Sequence, residues 1–129
     1  MVEIGELADY YENGNPVEGE FIHSWNSIEQ FYENQGFSFS NHVLELIACM
    51  RRDGYDRIVR AGQSLSSLGL SRSRWHGLRR HQPAIWFHFR DDAMHVEPTF
   101  EGEALQDIPI QLTSDVKRVL DLLVQRDVN

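Results

Sequence analysis

The stretch that decides the fold of this chain reads Ala84-Ile85-Trp86-Phe87-His88-Phe89-Arg90-Asp91-Asp92-Ala93-Met94-His95-Val96-Glu97-Pro98. Apolar and other side chains alternate on both sides of two adjacent aspartates, which is typical of two half-buried strands joined by a tight turn. If Asp91 and Asp92 are the two loop residues, His88 faces His95 across a β-hairpin.

The same hairpin register predicts three more cross-strand pairs: Phe89 with Met94, Phe87 with Val96, and Trp86 with Glu97. Successive side chains of a strand point to opposite faces of the sheet. One face of the hairpin is therefore predicted to be apolar, and the other to carry both histidines and Trp86. A shift of one residue would separate the histidines.

Helices are predicted on both sides of this hairpin. Ser24 and Ser27 are good N-cap residues, and the apolar residues that follow share one face until Gly36, which predicts a helix of about two turns. A second helix carries Val43, Leu44, Ile47 and Met50 and is expected to end at Asp53-Gly54. In the last helix, capped by Thr113 or Ser114, the apolar stripe is Val116, Val119, Leu120, Leu123 and Val124.

The remaining segments are less regular. Strands are expected near residues 56–60 and 67–72, and a short helix followed by a turn is expected within the first twenty residues. Together these elements predict an α+β fold, with an antiparallel sheet of about four strands and the N-terminal and C-terminal helices packed mainly on one face. At 129 residues, we expect one domain spanning 1–129, with residues 1–20 as a candidate loosely packed extension.

Charge is strongly segregated along the chain. Residues 1–50 contain nine acidic side chains and no lysine or arginine, residues 51–90 contain nine arginines and two aspartates, and residues 91–129 contain nine acids and three basic side chains. These segments carry −9, +7 and −6, which sum to the net charge of −8. Because nucleic acids and anionic membranes attract basic surfaces, the net charge disfavours both as partners.

Composition indicates an ordinary soluble globular protein, since 41% of the residues are hydrophobic and 25% are charged. The only cysteine, Cys49, has no partner for an internal disulfide, and the first residues resemble neither a signal nor a transit peptide. No segment approaches the length of apolar sequence that a membrane span needs. We therefore expect a cytoplasmic location.

The first candidate site is an arginine-rich segment, in which Arg72, Arg74, Arg79 and Arg80 are interleaved with Trp75. Arginine binds carboxylates and phosphates through bidentate hydrogen bonds, and a tryptophan ring can stack on a base. The segment is therefore a candidate anion or nucleotide site. The alternative is structural, because the acidic helices of the same chain offer partners for these arginines. No phosphate-binding glycine motif accompanies them.

The second candidate site is His88, His95 and Glu97, which the hairpin register places on one face of adjacent strands. Two imidazoles and a carboxylate are plausible ligands of zinc or iron. The alternative is that these are ordinary polar residues of an exposed strand face. Nucleophilic catalysis has no sequence support, because Cys49 lies within a predicted helix and the serines lack a nucleophile-elbow motif.

The leading functional hypothesis is a small binding or interaction module that contacts a protein partner or a second copy of itself. Tryptophan is enriched in interaction hot spots, which makes Trp75 and Trp86 the candidate interface residues. The alternative is a metal-binding or anion-binding enzyme or sensor that uses one of the two candidate sites. The sequence identifies no catalytic residue and no required cofactor.

Overall fold

The computed structural model describes residues 16–74 and 82–128. Its elements in chain order are helix α1 (Pro16–Gln35), helix α2 (Ser40–Arg52), a 3-10 turn (Tyr55–Arg57), strands β1 (Arg60–Ser64), β2 (Ser67–Ser71), β3 (Ala84–Arg90), β4 (Ala93–Pro98) and β5 (Leu105–Pro109), and helix α3 (Ser114–Val124). The helix that the sequence predicts before residue 16 lies outside the described residues.

The β3–β4 hairpin has the predicted register. His88 pairs with His95, and the neighbouring pairs are Phe89↔Met94, Phe87↔Val96 and Trp86↔Glu97. Asp91 has a φ of 46°, in the left-handed region that aspartate tolerates better than most residues, so it suits this tight turn. Both the hairpin and its turn are therefore confirmed.

The sheet is antiparallel and has five strands in the order β1-β2-β3-β4-β5, one more than expected. The additional strand is β5, which is only five residues long and ends at Pro109. Its pairing with β4 shifts register between Met94 and Val96, and Asp107 has a φ of 52°. A short and irregular edge strand of this kind has no clear alternating pattern to read in the sequence.

The two strands predicted before the hairpin had different outcomes. The prediction near residues 67–72 agrees with β2, whereas the one near 56–60 is wrong for most of its length, because a 3-10 turn occupies Tyr55–Arg57 and β1 begins at Arg60. The apolar residues of this segment still reach the core, since Tyr55 is 7% exposed and Val59 is fully buried. Apolar content alone did not distinguish a turn from a strand here.

Helix α1 is much longer than the two turns predicted from the sequence. It begins at Pro16, and proline is favoured at the first helical position because no helical hydrogen bond needs its missing N–H. Ser24 is therefore not a cap. Its hydroxyl donates to the carbonyl of Phe21 and accepts the N–H of Ala61 in β1 at 2.9 Å, which links the helix to the sheet edge.

Helices α2 and α3 agree with their predictions. Gly54, just after α2, has a φ of 89°, which is the left-handed conformation expected of a glycine there. Thr113 is the N-cap of α3, and its hydroxyl accepts the N–H of Val116. The sequence left Thr113 and Ser114 as alternatives for this cap.

The core lies between one face of the sheet and the helices. It joins Leu68, Leu70, Ile85, Phe87, Met94 and Val96 of the sheet to buried residues of all three helices. Trp25 of α1 is fully buried in this core, and its indole N–H donates to the carbonyl of Val59 at 2.9 Å. The predicted α+β fold, with helices packed on one sheet face, is confirmed. Within the described ranges, no helix is both long enough and apolar enough to cross a bilayer.

Candidate functional site

The candidate site lies on the sheet face that points away from this core. We call it the outer face and define it by the residues that alternate with the core residues of β2, β3 and β4, namely Ser67, Gly69, Trp86, His88, His95 and Glu97. His88 and Glu97 are exposed, whereas Trp86 and His95 are partly buried. The structure therefore brings one predicted interface residue and all three predicted metal ligands onto one surface.

Trp86 lies directly against Gly69, its partner on β2. A Cβ atom at position 69 would be only 2.7 Å from Cζ3 of the indole, so a residue with a side chain does not fit there without a shift. The next residue across the sheet, Gly62 of β1, is exposed and has open space where its Cβ would lie. Neither of these paired glycines therefore places a side chain on the face beside the indole.

A polar cluster lies next to the indole on the same face. Oε2 of Glu97 is 3.5 Å from Nε2 of His88 and 3.8 Å from Nε2 of His95. The two imidazole rings are stacked, with centroids 5.9 Å apart. One carboxylate is therefore shared between two imidazoles.

Ser67 belongs to this cluster but was absent from the sequence-based candidates. Its Oγ lies 2.7 Å from Nδ1 of His88. Ser67 is one residue before Leu68, which pairs with Phe87, so the β2–β3 register places it beside His88. Only the pairing of β2 with β3 reveals this contact, because 20 residues separate the two side chains in the sequence.

The structure gives no support to the metal hypothesis for this cluster. Within residues 16–74 and 82–128, no group of three or more His, Cys, Asp or Glu side chains is arranged to hold a metal ion. The three predicted ligands do lie together, but their closest approaches are the contacts of imidazoles with a carboxylate. The observed contacts of the cluster are those of Ser67 with His88 and of both imidazoles with Glu97.

A shallow pocket adjoins the cluster near the β3–β4 turn. Its lining is formed by the ends of both hairpin strands and one residue of β5: His88, Phe89, Arg90, Ala93, Met94, His95 and Asp107. Both imidazoles of the cluster therefore border a space that a small group can enter.

Arg72, the first residue of the predicted anion site, is used in a structural contact. Its guanidinium donates to the carbonyl of Ile58 at 2.7 Å and to the carbonyl of Arg126 at 2.9 Å. Burial lowers the pKa of Arg72, against a smaller opposing effect of Asp127. Arg72 therefore joins the segment before β1 to the chain just beyond α3.

The other residues of the predicted anion site are only partly described. The carbonyl of Arg74 accepts a hydrogen bond from the guanidinium of Arg60 at 2.7 Å. Trp75, Arg79 and Arg80 lie outside the described residues. The proposed role of this segment in binding anions therefore stays a prediction.

Three other arginines pair with acids of the N-terminal half. Arg51 contacts Glu29 at 2.9 Å and Asp56 at 3.1 Å. Arg57 lies 3.7 Å from Glu18, and Arg60 lies 3.5 Å from Glu20. These contacts show arginines of residues 51–60 paired with acids of the same chain, but they do not involve Arg72, Arg74, Arg79 or Arg80, for which pairing with the acidic helices stays a prediction.

Comparisons of this chain with known protein families, with curated proteins and with solved structures found no match.

Proposed function

We propose that this protein is an interaction module that binds a partner protein through the outer face of its sheet. The observation that carries the proposal is the position of Trp86 in the middle of that face, opposite the helices and lying against Gly69. A rigid strand holds the indole in place, so little conformational entropy is lost when it contacts a partner. Tryptophans that become buried in an interface are enriched among hot-spot residues, whose truncation to alanine costs about 2 kcal/mol or more of binding free energy.

We propose that the partner is a basic protein. The chain carries a net charge of −8, so long-range electrostatics favour the approach of a positively charged protein and oppose that of a second acidic copy. On the outer face itself, Glu97 lies directly across from Trp86 and is 57% exposed, which offers a carboxylate to a basic side chain. A cytoplasmic setting is part of this proposal, and it fits a chain whose only cysteine is free.

Site-directed photo-crosslinking in cells of the source organism tests this proposal. A photoreactive phenylalanine analogue replaces Trp86 in one version of the chain and Glu33, an exposed residue of α1, in a matched control. We expect an adduct with a basic protein at position 86 and none with the same protein at position 33.

The affinity of the purified pair then tests the role of the indole. We expect Trp86→Ala to weaken binding by at least about tenfold, and binding to weaken further as salt is raised. Identical adducts at both positions, or a partner that binds Trp86→Ala as tightly as the original chain, would contradict the proposal. Sedimentation of the purified chain shows whether the chain binds a second copy of itself rather than a different partner.

A further inference from the structure

Three side chains on the outer face form a continuous series across three neighbouring strands. Oγ of Ser67 on β2 is 2.7 Å from Nδ1 of His88 on β3, and Nε2 of the same ring is 3.5 Å from Oε2 of Glu97 on β4. A hydroxyl, an imidazole and a carboxylate in this order are the three parts that activate a serine for nucleophilic attack. Here the sheet register, rather than a sequence motif, brings them together.

We propose that Ser67 is a nucleophile that accepts acyl groups from activated carboxylic esters, with His88 as its general base. The carboxylate of Glu97 favours the tautomer with the proton on Nε2, because a negative charge stabilises the N–H that faces it. Nδ1 then has a free lone pair directed at the hydroxyl of Ser67. Glu97 is therefore a positioning residue, which acts through the imidazole.

The acyl transfer needs no reactant other than the ester and water. Oγ of Ser67 bonds to the carbonyl carbon of the ester while its proton moves to Nδ1 of His88. The bond between that carbon and the alkoxy oxygen breaks, and the leaving group takes the proton from Nδ1 and departs as an alcohol or phenol. A water molecule then attacks the acyl-Ser67 ester by the same route, which releases a carboxylic acid and restores the serine.

The proposed general base borders the adjoining pocket. His88 and His95 both line it, together with Arg90 and Asp107, whose side chains lie 3.9 Å apart. The side chain of His88 is 45% exposed, so a reagent in solution can reach the pair. His95 contacts the same carboxylate oxygen at 3.8 Å and competes with His88 for it.

A covalent serine probe tests the proposal on the purified full chain. The protein is treated with diisopropyl fluorophosphate or with p-nitrophenyl acetate, and the modified residue is located by peptide mass spectrometry. We expect the adduct at Ser67 to form at least about tenfold faster than any adduct at Ser64, the exposed serine that pairs with it in the β1–β2 hairpin.

Four variants distinguish activation of Ser67 by His88 from a hydrogen bond between them that is only structural. Ser67→Ala should remove the adduct, whereas Ser64→Ala should leave its rate unchanged. His88→Asn keeps a hydrogen-bonding group near Ser67 but cannot accept a proton, so we expect it to slow the reaction at least about tenfold. Glu97→Gln should slow it less, because it changes the orientation of the base and not the base itself. Circular dichroism and thermal unfolding check that each variant is folded.

Two results would overturn the proposal: equal labelling of Ser67 and Ser64 in the original chain, or a His88→Asn variant that reacts as fast as the original. No partner protein enters this assay, so its outcome is independent of the interaction proposed above.

Discussion

The indole of Trp86 occupies the space that a side chain at position 69 would need, because a Cβ atom there would be 2.7 Å from Cζ3 and 2.9 Å from Cη2 of the ring. Gly69 is buried, and its lack of a side chain is what lets the ring lie against β2. This contact orients the largest side chain on the outer face. The stability of the sheet and the position of the proposed interface residue therefore depend on the same glycine.

Gly69→Ala is expected to displace the indole or strain β2. Inserting a methyl group into a tightly packed position costs about 1–3 kcal/mol, so the free energy of unfolding should fall by that amount. Urea denaturation measures the change. Gly62→Ala is the matched control, since its Cβ would meet nothing within 4 Å, and its stability should change by no more than about 1 kcal/mol. Equal losses in the two variants would contradict the role of the contact.

Thr113→Ala is expected to lower the free energy of unfolding by about 1 kcal/mol, because the hydroxyl that accepts the N–H of Val116 is lost at the start of α3. Ser114→Ala is the control, and we expect a change within about 0.5 kcal/mol. Thermal or denaturant unfolding compares the two. A larger effect at Ser114 would mean that the cap is at the other of the two positions that the sequence allows.

Arg72→Met is expected to lower the free energy of unfolding by about 2–3 kcal/mol, because the carbonyls of Ile58 and Arg126 lose their donor in a partly buried region. Arg118→Met is the matched control. Arg118 is exposed and pairs with the exposed Asp115 of its own helix, so its loss should change stability by less than about 0.5 kcal/mol. Similar results for both arginines would contradict the structural role assigned to Arg72.

The stability of the protein is expected to fall between about pH 10 and pH 12 through Tyr55. Burial, together with the hydrogen bond and negative charge of Asp121, raises the pKa of Tyr55 from 10.0 to about 12. The folded state therefore favours the protonated phenol, so this contribution is complete below pH 10 and is lost as pH rises through the folded pKa.

Denaturant unfolding at several alkaline pH values measures this effect in the original chain and in Tyr55→Phe. The variant loses the hydrogen bond to Asp121, which should cost about 1 kcal/mol at pH 7, but its stability should fall less steeply above pH 10. If the free energy of unfolding fell equally steeply with pH in both proteins, that result would contradict a raised pKa of Tyr55. Burial also raises the pKa of Tyr32, so part of the alkaline loss remains in the variant.

Local patterns were sufficient for much of the fold. The alternation around Asp91-Asp92 predicted the hairpin and its register, because the period of a strand assigns each residue to one face and a two-residue turn aligns the pairs. The stripes of α2 and α3 likewise predicted helices that bury one side. Helix α1 was predicted too short. Gly19 and two serines interrupt its apolar stripe, which is recognisable only once the helix is seen packed against the sheet.

What the sequence by itself determined is therefore the fold class, the central hairpin and the common face of Trp86, His88, His95 and Glu97, all of which follow from short-range periodicity. The tertiary structure alone decided that Ser67 contacts His88, that Gly69 supports Trp86 and that Arg72 joins two distant segments. These contacts connect strands or helix ends that are far apart in the chain. Their geometry depends on how β2 pairs with β3 and how the ends of the chain pack, which no local pattern specifies.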